Sequence, residues 1–217
     1  MMNILTKTYR DIPFDKAEIL RYAGVRESTT EIDTLLDECL KESEGIFIYK
    51  VCYGTFPLYI NGDKIDLSFT KTVSKALAKA LKNSGNFILF AATAGFELDR
   101  LITRYSKISP SKALMFQAIG TERIESLCDA FCIDMEKEFG NLTPRFSPGY
   151  GDLSLEIQKD FFKVLDPGRK IGATLNESLV MSPSKSVTAI VGISDCEEEA
   201  NNHNCEKCNK TNCLFRR

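Results

Sequence analysis

Phe56-Pro57-Leu58-Tyr59-Ile60-Asn61-Gly62-Asp63-Lys64-Ile65-Asp66-Leu67-Ser68-Phe69 is the stretch that sets the fold class. Two β-rich runs flank Asn61-Gly62, a pair that tolerates the positive φ of a tight turn, so the stretch reads as a β-hairpin. Ile65, Leu67 and Phe69 alternate with polar residues, which predicts a strand burying one face only. Just upstream, Ile46 to Tyr53 (IFIYKVCY) is a further β-rich run. Consecutive hairpin strands pair antiparallel, so the sheet is expected to be mainly antiparallel rather than built from parallel crossovers.

Helical patterns surround these strands. Asp15 to Ala23 reads as a short helix, and a clearer one starts near Thr29 or Thr30, where Ile32, Leu35, Leu36, Cys39 and Leu40 repeat on one helical face. Val73 to Lys82 is an Ala/Leu/Lys helix, with Gly85 expected as its left-handed cap. Asn86 to Thr93 (NFILFAAT) is short and apolar throughout, which predicts a buried strand. Phe96 to Tyr105 and Pro110 to Phe139 read as helices; Ser109 caps the second and Pro110 occupies its first turn, where a missing N–H does no harm. After a Pro/Gly-rich loop from Gly140 to Asp152, helix resumes over Ser154 to Leu165 and stops at Asp166-Pro167-Gly168. Glu177 to Met181 and Ser186 to Ile193 read as two strands joined by Ser182-Pro183-Ser184-Lys185. The class is therefore α+β: a mixed, mainly antiparallel sheet with flanking helices.

Composition narrows the function. A chain of 217 residues fits one domain with an appendage, and 28 basic against 30 acidic side chains give no electrostatic reason to expect nucleic acid or a membrane surface. No run approaches the roughly 18 apolar residues of a membrane span, and the polar first ten residues lack the apolar core of a signal peptide. A cytoplasmic location is expected, where disulfides are disfavoured. The eight cysteines divide by position. Cys39, Cys52, Cys128 and Cys132 lie in apolar-periodic segments and read as core. Cys196, Cys205, Cys208 and Cys213 lie in a polar tail, residues 195–217, set apart from a body of residues 1–194. Four thiolates suit zinc or an iron–sulfur cluster, although only Cys205-x2-Cys208 has a common chelating spacing. The alternative is a tail of free thiols.

Arg145-Phe146-Ser147-Pro148-Gly149-Tyr150-Gly151-Asp152 is the most unusual local sequence. Its glycines allow close backbone approach to a ligand, Arg145 offers a planar fork for a carboxylate or phosphate, and Tyr150 offers a π face. An ordinary turn, with the arginine tied to a surface acid, is the competing reading.

The stretch Arg145-x-Ser147-Pro148-Gly149-Tyr150 resembles the R-x-x-P-G-Y signature of the S-adenosylmethionine-binding reactivation domain of cobalamin-dependent methionine synthase. Ala92-Thr93-Ala94-Gly95 with Leu98-Asp99 resembles that family's strand-to-helix junction, and Ala118 to Phe131 its long helix with an acidic residue, here Glu125. Leu175-Asn176-Glu177-Ser178 and Ser184-Lys185-Ser186-Val187 resemble its closing strands. The resemblance implies a curved sheet wrapped by helices that holds S-adenosylmethionine over a corrinoid for reductive remethylation of cob(II)alamin. By position, Arg145 would hold the methionine carboxylate, the backbone at Ser147 and Gly149 would contact the ligand, Tyr150 would line the site, and Glu125 would approach the charged amine end. No residue is assigned as a catalytic acid or base: a thioether leaves a sulfonium without a proton, so the chemistry needs positioning above all. The chain has no Asp-x-His-x-x-Gly motif, and its single histidine, His203, lies in the tail. Cobalamin would therefore come on a partner, a corrinoid-loaded methionine synthase subunit, with an electron donor such as flavodoxin or ferredoxin. A tyrosine-bearing segment that follows the family's last strand has no counterpart here. The alternative function is a non-catalytic docking or electron-delivery module for a corrinoid methyltransferase.

Overall fold

The computed structural model describes residues 3–194. In chain order its elements are β1 (Leu5–Tyr9), α1 (Lys16–Tyr22), α2 (Thr30–Glu42), β2 (Tyr49–Pro57), β3 (Tyr59–Asn61), β4 (Lys64–Asp66), β5 (Lys71–Val73), α3 (Lys75–Ala80), β6 (Ser84–Thr93), α4 (Glu97–Ile108), α5 (Pro110–Phe139), a 3-10 turn (Leu155–Ile157), α6 (Gln158–Leu165), α7 (Pro167–Ile171), β7 (Thr174–Leu175), β8 (Met181–Ser182) and β9 (Ser186–Ser194). The main sheet is four-stranded in the order β1-β2-β6-β9, and every neighbouring pair is antiparallel. The α+β class expected from the sequence is the one found.

Side-chain alternation explains why β6 is apolar throughout. Phe87, Leu89 and Ala91 point to one face, where they meet Leu77 of α3, Phe161 and Leu165 of α6, and Ile65 and Leu67 of the hairpin. Ile88, Phe90 and Ala92 point to the other face, where the second half of α5 supplies Ile124, Leu127, Phe131 and Met135. With both faces covered, no position in the strand's centre has water to face. The first half of α5 packs instead against α1, α2 and α4 through Ile19, Leu36, Leu98, Phe116 and Ile119. α5 is thus the spine that joins the sheet to the helical layer.

Local signals place three of the helix starts. Asp15 accepts from the Glu18 N–H at 3.1 Å and Thr29 from the Ile32 N–H at 3.4 Å, as N-cap side chains do. Pro110 opens α5.

Several expectations are corrected. The hairpin forms, but in a separate three-stranded sheet, β3-β4-β5. Asn61 pairs with Lys64, so Gly62, at φ 65°, and Asp63 make the turn. The left-handed residue after α3 is Asn83, at φ 67°, while Gly85 marks the register shift where β6 bulges against β9. Ile46–Ile48 precede β2 instead of starting it. Only Met181 of the run from Glu177 is in a strand, and that strand, β8, pairs with β7 rather than β9. α6 does stop at Asp166, in the left-handed conformation, and a further short helix that the sequence reading lacked opens at Pro167. β1, hidden in a polar N-terminus, is an edge strand held by Lys7 and Tyr9 on Asp134 of α5. Among the described residues, no helix is long and apolar enough to cross a membrane.

Candidate functional site

The loop from Arg145 to Asp152 is tied down on three sides. Phe146 exchanges both backbone hydrogen bonds with Ile190 of β9, at 2.9 and 2.8 Å, so the loop starts as an added rung on the sheet. Asp152 closes it by capping α3: its carboxylate accepts from the Ser74 hydroxyl at 2.5 Å and from the Lys75 and Ala76 N–H groups at 2.8 and 3.1 Å. Those donors, the Ser74 hydroxyl first, hold the Asp152 carboxyl below its usual range. Arg145 supplies the third tie. Its guanidinium meets Glu125 at 3.0 Å and Asp129 at 2.9 Å, two carboxylates one turn apart on α5.

These ties fix the backbone between Arg145 and Asp152. Pro148 is buried, Gly149 (φ 86°) donates to the Leu153 carbonyl at 3.0 Å, and Tyr150 donates to the Ser147 carbonyl at 3.2 Å. Gly151, at φ 57°, passes so near α3 that a Cβ there would lie 2.7 Å from the Ala76 methyl. Tyr150 stands out at the apex, 68% exposed.

Arg145 also lies beside Cys128 and Cys132. Burial pushes both thiols up, Cys132 to about 11, with the Arg145 charge opposing. Burial disfavours the guanidinium charge as well, yet Cys128, Asp129, Glu125 and Cys132 together hold its pKa above the usual value. Both cysteines are free thiols, as expected for core positions.

Glu125 faces two ways. Besides Arg145 it lines a cleft of about 390 Å³ between α1 and α5, with Asp15, Glu18, Arg21, Tyr22 and Asp129 among the other walls. That volume is within the range for small-molecule sites. Burial, then the Glu125 charge, raises the Tyr22 phenol. Beneath the cleft, Arg123 is wholly buried and donates to Glu122 and to the Ile12 and Pro13 carbonyls at 2.7 and 2.6 Å, with Phe14 stacked 3.9 Å away. This clamp fixes the segment that leads into α1.

The structure brings Glu125 and Arg145 into contact and carries Ser147, Gly149 and Tyr150 on the same strapped loop. None of those last three lines the α1–α5 cleft. Just before β9, the Asp99 carboxylate accepts from the Ser184 N–H at 2.8 Å, and Lys185 donates to the Thr121 hydroxyl, one turn from Glu125 on α5, at 3.0 Å. Burial lowers the Lys185 pKa, with Asp99 opposing. Asp129, Tyr22 and the Glu122–Arg123 clamp were not picked out from the sequence. A signal for Asp129 was present, since it sits four residues from Glu125 and must share its helix face. Cys196, Cys205, Cys208 and Cys213 lie outside the described residues, and among the described residues no cluster of His, Cys, Asp or Glu is placed to hold a metal ion.

Chemically, the arrangement sets one partly buried cation beside two half-exposed carboxylates, with an exposed aromatic ring on the loop and another ring in the cleft. It suits a ligand that carries a carboxylate next to positive charge.

Neither a family model nor a curated protein matches the sequence. Among solved structures, the chain is similar to the MetH reactivation domain bound to AdoHcy, with a TM-score of 0.62 and 16% identity over 92% of this chain and 81% of that one. The chain therefore has the fold of the MetH reactivation domain.

Proposed function

We propose that the chain binds S-adenosylmethionine at the Arg145–Tyr150 loop and Glu125, and supports the reductive remethylation of cob(II)alamin on a separate corrinoid-binding methionine synthase. The observation that carries this reading is the strapped R-x-S-P-G-Y loop, with Arg145 on Glu125, in a fold shared with a domain whose structure holds AdoHcy. Arg145 binds the ligand carboxylate in exchange for Asp129. Glu125 turns from the guanidinium to the ligand's ammonium, and the loop backbone at Ser147 and Gly149 follows the ligand chain. The partner's corrinoid takes one electron from a flavodoxin- or ferredoxin-type donor. The reduced cobalt then accepts the methyl group, and S-adenosylhomocysteine leaves as a neutral thioether. The chain's own contribution is alignment of the sulfonium methyl. Cys196, Cys205, Cys208 and Cys213 are proposed to hold zinc or an iron–sulfur cluster, which metal analysis of the purified chain tests directly.

Calorimetry with S-adenosylmethionine, alone and with a corrinoid-loaded partner, tests the proposal. Losing the charge-assisted bonds of Arg145 in Arg145→Ala is expected to weaken binding roughly 10- to 100-fold. Asp129→Asn, which removes the competing carboxylate, should leave affinity unchanged or raise it. No heat in either setting, or equal affinity for the parent and Arg145→Ala, overturns the assignment.

A further inference from the structure

Lys185 is a cation held rigidly in place without a counter-charge. Its stem crosses α5 at Gly120, where a Cβ would lie 2.8 Å from Lys185 Cε and 2.9 Å from Cγ. Its carbonyl accepts from the Ala94 N–H at 3.0 Å, and its ammonium donates to the Thr121 hydroxyl at 3.0 Å. The residue is half-buried, and among the described residues it forms no ion pair. Asp99, the carboxylate that acts on it, is taken by the Ser184 N–H and hydroxyl. An ammonium has three donors, and Thr121 uses one.

Lys185 and Arg145 stand along one face of α5. Thr121, Glu125 and Asp129 follow one another at steps of four residues, so they line up on the helix. Glu125 and Asp129, which hold Arg145, lie about 6 and 12 Å from Thr121 along the axis at 1.5 Å per residue. The strand between the two cations has unspent polar groups. Phe146, next to Arg145, takes both main-chain bonds of Ile190. Thr188, two residues nearer Lys185, turns its N–H and C=O to the same edge by the alternation of an antiparallel ladder. No described residue bonds them, and the Thr188 hydroxyl, on a residue 2% exposed, has no partner either. Buried groups are rarely left unpaired, so this edge suits a polar ligand that runs from one cation to the other. S-adenosylmethionine has that form: a carboxylate at one end, a ribose diol towards the other, and sulfur between them.

Resting on the ligand assigned above, we propose that Lys185 is the specificity-setting cation of the site. With Thr121 it holds the ribose of the S-adenosyl ligand, and its charge shifts preference from S-adenosylmethionine, a sulfonium, towards S-adenosylhomocysteine, whose sulfur is neutral. The ligand carboxylate offsets Arg145, whereas no anion offsets Lys185. With charges about 6 Å apart and an effective dielectric constant of about 20–80, the repulsion amounts to a factor of roughly 3 to 100 between the two ligands. The spent ligand therefore competes for the site.

Calorimetry of the full chain with each ligand tests this. Lys185→Met keeps a stem over Gly120 and deletes the ammonium. It should weaken S-adenosylhomocysteine roughly tenfold or more, and lower its affinity relative to S-adenosylmethionine at least about threefold. Lys185→Gln, which donates without charge, should lower that ratio equally while weakening S-adenosylhomocysteine less. Arg145→Ala should weaken both ligands. Unchanged affinities in Lys185→Met and Lys185→Gln, or a loss shared equally by the two ligands, with Arg145→Ala still weakening both, overturns the role of Lys185 and leaves the ligand assignment standing. A parent that binds neither ligand, alone or with the corrinoid-loaded partner, overturns that assignment and this inference with it.

Discussion

Replacing Arg123 by methionine removes a side chain with no exposed surface, and with it the donors to Glu122, Ile12 and Pro13 and the stacking on Phe14. Glu122, whose side chain is only 3% exposed, keeps the Asp15 N–H at 3.2 Å and the Ser126 hydroxyl at 2.6 Å, but no cation. Breaking a buried pair by deleting one partner costs about 3–5 kcal/mol, because the remaining charge is uncompensated. A domain holds about 5–15 kcal/mol in all, so the loss is a large fraction of the total. With a urea slope of about 2 kcal/mol per molar, the unfolding midpoint should fall by roughly 1.5–2.5 M. Glu122→Gln added to Arg123→Met neutralises the stranded acid. The double variant is expected within about 2 kcal/mol of the parent, well short of the sum of the two single variants. Amide exchange should show α1 loosening in the single variant, since the clamp holds Ile12–Asp15 against α5. A midpoint shift under about 0.5 M, or a double variant as unstable as the sum of the singles, would refute the reasoning.

Two further outcomes can be checked on the same protein. Lys7 above all, with Lys137 and Tyr9, holds the Asp134 carboxyl down to about 2. A carboxylate with a depressed pKa stabilises the fold above its unfolded value, and that contribution is lost as pH falls from about 4 through about 2. Solvent screening limits it to about 1 kcal/mol or less, and exchange of the β1 amides should rise over that pH window in the parent but not in Asp134→Asn. Gly151→Ala forces a left-handed alanine against the Ala76 methyl. A cost of about 2–3 kcal/mol should lower the melting temperature by roughly 5–10 °C in calorimetry, and an unchanged value would show that the loop can move off α3.

Much of the candidate site was legible because its elements are local. The Arg145–Asp152 run announced an unusual loop through residues no more than eight positions apart, and Glu125 followed from the resemblance. The role of Asp152 was not legible. Its partners are Ser74, Lys75 and Ala76, more than seventy positions away, and no property of a Gly-Asp dipeptide names the helix it will cap. The same holds for Arg123, an arginine that reads as an odd charge in an apolar helix until Ile12 and Pro13 arrive more than a hundred residues distant in sequence. Gly85 misled because glycine is permitted in both a helix cap and a bulge, and only pairing with β9 chose the bulge.

By itself the sequence determined most of the helices and several element ends: the helix starts near Asp15 and Thr29, the proline that opens α5, the turn beside Asn61, and the apolar run of β6. These depend on backbone preferences and side-chain bonds spanning a few residues. Tertiary structure alone decided that β6 is buried on both faces, that β1 is an edge strand and that the hairpin lies in a separate sheet. It also decided that one arginine would seal the α1 clamp while another would meet Glu125 and Asp129. Those outcomes rest on which distant surfaces exclude water together, and on which buried charges then find partners. That is a property of the packed chain that no short window contains.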